Sequence, residues 1–344
     1  MTVSNTILID AIFINNGGGK ILLDYLYDEL SKIDDNEFVF LIDSRLKQEY
    51  GSKLDNNIRI HFFDGFSQRS KFYKNHTLNF KSVLCFGNIP PNVRLKAKVL
   101  TYFHQPMYLS IPKEFGIVET IKFKLKIAIL RLFKKNTDQW LVQSDFIKNA
   151  LQIKFDIEES KVLLLPFYPP LTGEGLFSRK KNSFIFVSNA NPHKNHQNLI
   201  NAFCEFFDQQ KEGLLTVTVN ETFPEILKLI KEKVDLDYPI NNIGFVSRDE
   251  LYREYQSHQY LVFPSLAESF GLGLVEAIEN GCKIIASDLP YAHQACVASI
   301  LIEKPQNKDN ILAALKKGID YDKIPFSEQK IHNDIEKLIN LLKH

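Results

Sequence analysis

The sequence has few cysteines and no long apolar run, and both absences exclude classes of protein. Its four cysteines include no Cys-x-x-Cys pair, so they form neither a disulfide framework nor a zinc site, and we expect a reducing, cytoplasmic compartment. No run approaches the roughly 18 apolar residues that a membrane-spanning helix requires. The amino-terminal stretch lacks a basic region and carries Asp10, which favours a β-strand over a signal peptide.

The sequence also lacks an excess of charge of either sign. Its 42 Lys and Arg residues oppose 41 Asp and Glu residues, which gives a formal net charge of +1. Because there is no global basic field, we expect no nucleic-acid partner. A hydrophobic fraction of 44% is typical of globular proteins, and 344 residues suggest about two domains.

Short apolar runs alternate with amphipathic segments along the chain, which predicts parallel sheets covered by helices. The predicted strands are 7–14, 38–42, 58–63, 82–86, 99–103 and 139–143, and then 184–188, 214–219, 242–245, 260–264 and 283–286. A stretch with three prolines separates the two series. We therefore predict an α/β fold with two Rossmann-like, doubly wound domains facing a central cleft. The predicted parts are an N-terminal domain (1–165), a linker (166–182), a C-terminal domain (183–325) and a C-terminal helix that packs back on the first domain (326–344).

The strongest local pattern is PSLAESFGLGLVEAIENGCKIIASDLP at 264–290. It predicts a strand, a loop that carries Glu268, and a helix that begins near Gly271 and ends at a glycine cap, Gly281. Amide groups at a helix N-terminus suit a phosphate, and here they are those of Phe270, Gly271 and Leu272. Helical side chains lean toward the N-terminus, so Glu276 can reach the same ligand as Glu268.

Two carboxylates beside a diphosphate would repel it, so we expect Glu268 and Glu276 to bind sugar hydroxyls instead. The spacing alone is equally compatible with a capped helix that carries surface acids.

The segment closely resembles the signature of the retaining glycosyltransferases of family four, which have the GT-B fold. That signature has two glutamates eight positions apart around a Phe-Gly pair, followed by an alanine and a helix-ending glycine. The matching residues are Glu268, Phe270, Gly271, Glu276, Ala277 and Gly281. The resemblance implies that Glu268 contacts the donor sugar and that Glu276 contacts the nucleotide ribose.

Other segments resemble the same family. The stretch 184–203 is similar to the strand, loop and helix that open its C-terminal domain, and the resemblance implies that Lys194 binds the donor diphosphate. This sequence has Asn189 where the family often has an arginine, so half of the usual cationic clamp is absent at that position. The stretch 242–251 is similar to the loop whose backbone touches the base, near Phe245 and Val246. The stretch 142–167 resembles the end of the N-terminal domain.

Glycine is scarce, with 15 residues, so the run Gly17, Gly18 and Gly19 after the first strand stands out. Glycines there let the backbone approach a ligand closely. The run matches the glycine-rich loop of the family, which borders the donor phosphate and the acceptor. His104 ends another predicted strand, and the resemblance implies that it faces the donor sugar.

Two Asp-x-Asp sequences, at 235–237 and 320–322, spell a metal-binding motif of another transferase fold. Neither follows a strand, so we interpret both as solvated surface. His193 and His196 flank Lys194 and have no third ligand nearby in the sequence, which argues against a metal site. We expect no metal and no cofactor, because the nucleotide sugar is a substrate.

The stretch 119–136 carries six basic residues against one acid, Glu119. Its apolar residues form two helical stripes, Ile121, Leu125, Ile129 and Leu132 on one and Phe123, Ile127 and Leu130 on the other. The pattern indicates either a domain helix with a solvated basic face or a helix that lies on an anionic membrane surface.

These features together predict a metal-independent, retaining hexosyltransferase. It would move a sugar from a nucleotide-diphosphate sugar to a glycan acceptor in bacterial cell-surface polysaccharide (O-antigen or capsule) synthesis. The family resemblance and the basic stretch extend this to a lipid-linked acceptor and a peripheral position at the inner membrane face. Two alternatives stay open: another GT-B activity such as a sugar-nucleotide epimerase, which the Glu268/Glu276 pair disfavours, and an inactive sugar-nucleotide-binding subunit, which Asn189 favours.

Overall fold

The computed structural model describes residues 5–53, 57–76, 80–111, 116–175, 177–268 and 270–344. They form two compact units. Unit 1 comprises Met1–Pro169 and His332–His344, and unit 2 comprises Pro170–Ile331. Within the described ranges, no helix is long and apolar enough to cross a membrane.

Unit 1 is built on a seven-stranded parallel sheet. Its strands are β1 (Thr6–Ala11), β2 (Glu37–Asp43), β3 (Ile58–Phe63), β4 (Ser82–Cys85), β5 (Lys98–Phe103), β6 (Gln139–Val142) and β7 (Val162–Leu164). The strand order is β3-β2-β1-β4-β5-β6-β7. Because the order reverses between β1 and β4, the loops that follow these two strands border a topological switch point, where ligands of such sheets bind.

The helices between these strands are α1 (Gly17–Ser31), α2 (Lys47–Tyr50), α3 (Phe66–Asn75), α4 (Ile117–Phe133) and α5 (Asp145–Phe155). The apolar strands are buried on both faces, as a sheet covered by helices requires. Helix α5 illustrates local control: Ser144 caps its first turn by accepting from the Ile147 amide, and Asp156 ends it in the left-handed conformation.

A buried ion pair fixes the loop that follows β4. Arg69 donates through Nε to Asp10 Oδ2 at 2.6 Å, and through Nη2 and Nη1 to the carbonyl oxygens of Ile89 (2.6 Å) and Pro90 (3.2 Å). Tyr73 donates to the same Asp10 oxygen at 2.6 Å. A buried charge is tolerated only when it is paired and hydrogen-bonded, so this cluster anchors the loop firmly to β1.

Unit 2 is built on a six-stranded parallel sheet in the order β10-β9-β8-β11-β12-β14. Its strands are β8 (Lys180–Phe186), β9 (Leu214–Val217), β10 (Ile240–Asn242), β11 (His258–Phe263), β12 (Lys283–Ser287) and β14 (Ile300–Ile302). Two further strands pair with each other antiparallel, β13 (Cys296–Val297) and β15 (Glu328–Gln329). Here the switch point lies between β8 and β11.

The helices of unit 2 are α6 (His196–Gln210), α7 (Pro224–Val234), α8 (Arg248–Ser257), α9 (Leu272–Glu279), α10 (Pro290–Ala295) and α11 (Lys308–Lys317). The last helix, α12 (Ile335–Lys343), belongs to unit 1. There the carbonyl oxygen of Leu342 accepts from Ser82 Oγ at 2.6 Å, and that of Leu341 accepts from Lys98 Nζ at 3.3 Å.

The structure differs from the predicted bounds at both domain boundaries and at the start of β8. The units divide after Pro169 and after Ile331, whereas the sequence suggested a linker over 166–182 and a C-terminal part from 326. Residues 180–182 begin β8, because this strand pairs with β11 from its first residue, and 328–329 pair with β13 in unit 2. Leu176 of the predicted linker lies outside the described residues.

Two local predictions were wrong. The glycine run is not a loop but the first turn of α1, which begins at Gly17. The predicted strand 242–245 is instead Ile240–Asn242. Strand β10 ends there because Gly244 adopts a left-handed conformation with φ +66° and the Asn242 side chain accepts from the Val219 amide at 2.9 Å.

Candidate active site

Unit 2 brings Lys194 and Glu268 together in an ion pair. Lys194 ends a 3₁₀ turn after β8, and Glu268 lies in the loop after β11. These strands are neighbours in the sheet, so residues 74 positions apart meet at the switch point. The Leu266 amide donates to the His193 carbonyl at 2.7 Å, which fastens the two loops to each other. Both charged side chains are largely buried, so neither carries its charge without a partner.

Helix α9 follows Glu268 as the sequence predicted. Gly271 caps it in the left-handed conformation, with φ +76°, so Leu272 is its first residue. At the other end Gly281 also has φ +76° and donates to the Ile278 carbonyl at 2.9 Å, while Cys282 donates to the Ala277 carbonyl at 2.9 Å. These two bonds form a Schellman motif, which confirms the glycine cap. Leu274 donates to the Gly271 carbonyl at 2.9 Å. The two amides before it, those of Leu272 and Gly273, suit an anion, because the first amides of a helix have no acceptor within it.

The second glutamate of the motif forms a separate ion pair. Glu276 is 5% exposed, and its Oε1 accepts from Arg248 Nη1 at 2.9 Å. Burial raises the pKa of the Glu276 carboxyl, and the positive charge of Arg248 opposes that rise. The motif thus contains two carboxylates, each held by its own cation.

Three further donor-site residues were predicted in unit 2, namely Asn189, Phe245 and Val246. Asn189 is exposed after β8 and accepts from Asn191 Nδ2 at 3.0 Å, so the neutral amide bonds within its own loop. Phe245 and Val246 follow β10 at the sheet edge, and Phe245 is 89% exposed. Among the described residues, no hydrogen bond or ring contact joins them to Lys194 or Glu268. Phe270 is buried beside Gly271.

His104 ends β5 in unit 1, as predicted, and the loop after β4 determines its orientation. The His104 amide donates to Asn88 Oδ1 at 2.7 Å, and ring atom Nε2 lies 3.1 Å from the Phe86 carbonyl oxygen. The ring also stacks on Phe86, with centroids 5.2 Å apart. Burial lowers the pKa of His104 to about 4, so the ring is neutral near pH 7. Because a carbonyl only accepts, Nε2 carries the proton and Nδ1 is left as an acceptor.

The glycine run in unit 1 lies beside His104. A Cβ on Gly19 would be 3.0 Å from His104 Cε1, whereas one on Gly17 or Gly18 would meet no atom within 4 Å. The structure therefore brings Gly19 and His104 together and leaves the other two glycines facing open space.

The two Asp-x-Asp sequences lie on the surface. Asp235 pairs with Lys231 at 2.7 Å and Asp320 pairs with Lys323 at 3.1 Å, in each case a lysine close in sequence. Across the described ranges, no group of three or more His, Cys, Asp or Glu side chains is placed to hold a metal ion.

Sequence reasoning missed the residues that hold the site residues in place. Arg248 holds Glu276, and Asn88 and Phe86 hold His104. Asn88 had a usable signal, since it belongs to a Gly-Asn pair directly after a predicted strand and adopts φ +69°. Arg248 had none, because a basic residue in the first turn of a surface helix is ordinary.

Comparisons with known proteins give a family match for most of unit 2. Residues 172–330 match the family described as Glycosyl transferases group 1. The O-antigen chain mannosyltransferase RfbU of Salmonella typhimurium is 22% identical over 235 residues, which are 68% of this chain and 63% of that protein. The serotype-specific mannosyltransferase WbdA of Escherichia coli is 21% identical over 271 residues, which are 76% of this chain and 33% of that protein.

The fold also has close counterparts among solved structures. The crystal structure of HepE from Anabaena in complex with UDP and glucose matches with a TM-score of 0.65 at 12% identity, over 98% of this chain and 94% of that one. The resemblance and fold class predicted from the sequence are thereby confirmed. Residues 172–330, which are nearly all of unit 2, match the glycosyl transferases group 1 family, and the chain has the GT-B architecture of two Rossmann-like, parallel-sheet domains.

Proposed function

We propose that this protein is a retaining glycosyltransferase that moves a sugar from a nucleotide-diphosphate sugar to a glycan acceptor in bacterial cell-surface polysaccharide synthesis. The observation that carries the proposal is the Lys194–Glu268 pair at the switch point of a glycosyl transferases group 1 domain, directly before the N-terminus of α9. The likeness to the O-antigen chain mannosyltransferase RfbU and to the serotype-specific mannosyltransferase WbdA supports the polysaccharide context.

Charge stabilisation explains the proposed chemistry of unit 2. The Lys194 ammonium and the first-turn amides of α9 bind the donor diphosphate and stabilise the negative charge that grows on it as the sugar leaves. Glu268 releases Lys194 to the diphosphate and accepts from hydroxyls of the donor sugar. Glu276 accepts from the ribose. No carboxylate is assigned as a nucleophile, so the leaving diphosphate itself helps to deprotonate the acceptor on the same face of the sugar.

His104 supplies an acceptor rather than a cation in this proposal. Its Nε2 is engaged with the Phe86 carbonyl and its ring is neutral, so Nδ1 can accept from a sugar hydroxyl. This role positions the donor sugar, and it requires no change in protonation during turnover.

An inactive donor-binding subunit is the second candidate, because Asn189 provides no charge where an arginine is common. Turnover by the purified chain separates the two. Thermal shift against a panel of UDP, GDP and dTDP sugars identifies the donor, since a ligand that binds the folded state stabilises it. Transfer from that donor to a glycan acceptor supports the enzyme, provided that NMR of the product shows the same anomeric configuration, α or β, as in the donor. Donor binding without transfer or hydrolysis supports the subunit.

We also propose that α4 docks on an anionic lipid surface, where a lipid-linked acceptor would lie. Ile127 and Leu130 belong to the core of unit 1. Of the other stripe, Ile129 packs partly against that core, whereas Ile121, Leu125 and Leu132 face outward. The exposed apolar side chains are Ile117, Val118, Ile121, Leu125 and Leu132. At about 100° per residue they form one strip opposite the core, with Lys122 and Lys126 along one side and Lys124 and Arg131 along the other. An apolar strip between two rows of cations complements an anionic bilayer surface.

A further inference from the structure

We infer that Arg248 is the positioning residue of the nucleotide site: it holds Glu276 in place as the acceptor for the donor ribose. The inference rests on the proposed function, because it assumes that Glu276 meets a ribonucleotide. The sequence motif gives Arg248 no role, since it lies 28 positions before Glu276, in the first turn of α8.

The geometry keeps Arg248 in place before any ligand arrives. While Nη1 donates to Glu276 Oε1 at 2.9 Å, Nη2 donates to the Pro170 carbonyl oxygen at 3.3 Å. The chain next to Pro170 is tied down as well, because Asn280 Nδ2 donates to the Leu171 carbonyl at 3.2 Å. The guanidinium is thus held between main chain and carboxylate, which fixes its planar fork.

The pairing leaves one carboxylate oxygen of Glu276 for a ligand. Oε1 is engaged by Arg248, while Oε2 has no hydrogen-bond partner assigned to it among the described residues. Arg248 itself is 39% exposed at its side chain, so the pair borders solvent rather than lying in the core. A carboxylate with one oxygen tethered presents the other in a fixed direction, and vicinal ribose hydroxyls are suitable donors to it.

Arg248 also controls the protonation state of Glu276. The titratable groups near this carboxyl are Arg248 and Tyr255 on α8 and Glu279 on α9. Of these, only Arg248 carries a positive charge that opposes the effect of burial on the carboxyl. Without Arg248, the buried carboxyl would hold its proton to higher pH. The protonated oxygen would then donate a hydrogen bond instead of accepting one.

The test uses UDP and GDP as probes, together with their 2′-deoxy forms, in the full-length protein. For whichever ribonucleotide the wild type binds, Arg248→Gln should weaken binding about tenfold at pH 7, roughly the cost of one lost hydrogen bond. The affinity for the 2′-deoxynucleotide should decrease less, so the variant should prefer the ribonucleotide over its deoxy form by a smaller factor than the wild type does. The loss relative to wild type should diminish as the pH is raised and Glu276 ionises, and Arg248→Lys should restore part of the affinity. Arg253→Gln, an exposed arginine on the same helix, is the matched control.

The outcomes separate the possible failures. If the wild type binds none of UDP, GDP and dTDP, the proposed function itself fails. If it binds dTDP and neither ribonucleotide, the inference is overturned, because dTDP has no 2′-hydroxyl. If it binds one and Arg248→Gln weakens the ribose and deoxyribose forms equally at every pH, Arg248 is merely structural and the inference is overturned. If Arg248→Gln does not fold, Arg248→Lys in wild-type and Glu276→Gln backgrounds gives the same answer. Arg248→Lys should lower the ribonucleotide affinity in the wild-type background and leave it unchanged in the Glu276→Gln background, where residue 276 carries no charge. An equal effect in both backgrounds would contradict the inference.

Discussion

The His104 ring packs against Gly19 so closely that a Cβ on Gly19 would lie 3.0 Å from His104 Cε1. Such a distance is shorter than ordinary van der Waals contact, so an added methyl group would push the ring away from the Phe86 carbonyl that fixes its orientation. The orientation of His104 therefore requires a glycine at position 19 of α1.

Gly19→Ala and Gly18→Ala should differ in stability. Both residues lie in the first turn of α1, where alanine is favoured over glycine by up to about 1 kcal/mol. Gly18→Ala should gain that increment, because its Cβ meets no atom within 4 Å. In Gly19→Ala the short contact between the new Cβ and His104 should offset that gain in stability. Urea denaturation of the two variants measures the difference, and equal free energies of unfolding would contradict the packing described here.

His104 should not titrate in the neutral range. Its pKa is lowered to about 4, so the ring stays neutral from pH 8 down to about 5 and gains a proton only as the pH falls through about 4. NMR of the ring nitrogens should report the Nε2–H tautomer at pH 7. His104→Ala should slow turnover roughly tenfold, the cost of one lost hydrogen bond, at every pH between 6 and 8. A ring pKa near 6.5, or the Nδ1–H tautomer, would refute the acceptor role.

Transferase activity should survive a chelator. In the proposed site Lys194 and helix amides neutralise the diphosphate, and the surface aspartates Asp235 and Asp320 already pair with lysines. Turnover should be unchanged in EDTA and in the Asp235→Asn/Asp237→Asn variant. Loss of activity in EDTA that manganese restores would show instead that the diphosphate is bound through a metal.

Charge reversal on α4 should release the protein from anionic vesicles. Each cation near such a surface contributes about 1 kcal/mol, so changing Lys122, Lys124 and Lys126 to Glu should abolish co-sedimentation with phosphatidylglycerol liposomes. Binding of the parent protein should also decrease with added salt. The matched control reverses Lys228, Lys231 and Lys233 on α7, a basic helix of unit 2, and should bind normally. Equal binding by both triple variants, or none by the parent, would contradict the docking proposal.

The sequence predicted local features well and pairings poorly. The strand 58–63 was placed at its exact bounds, and the cap at Gly281 was predicted because a left-handed C-terminal residue favours glycine. The Lys194–Glu268 and Arg248–Glu276 pairs depend on which strands and helices are neighbours, and periodicity carries no information about neighbours. Likewise the two apolar stripes of α4 are equivalent in sequence, and only packing reveals that Leu125 faces outward while Ile127 faces the core.

The central claim, that the 264–290 motif and Lys194 form the donor site, is tested most directly by the steady-state kinetics of two variants. If Lys194 stabilises charge that peaks in the transition state, as proposed, Lys194→Ala should lower kcat by roughly 10²–10³. In the proposed site Glu276 contacts a ribose that is bound alike in the ground and transition states, so Glu276→Ala should raise the donor KM more than it lowers kcat. Glu268→Ala should change both parameters, because it alters the position of the sugar. If Lys194→Ala turns over donor at the wild-type rate while Glu276→Ala leaves the donor KM unchanged, the donor site lies elsewhere.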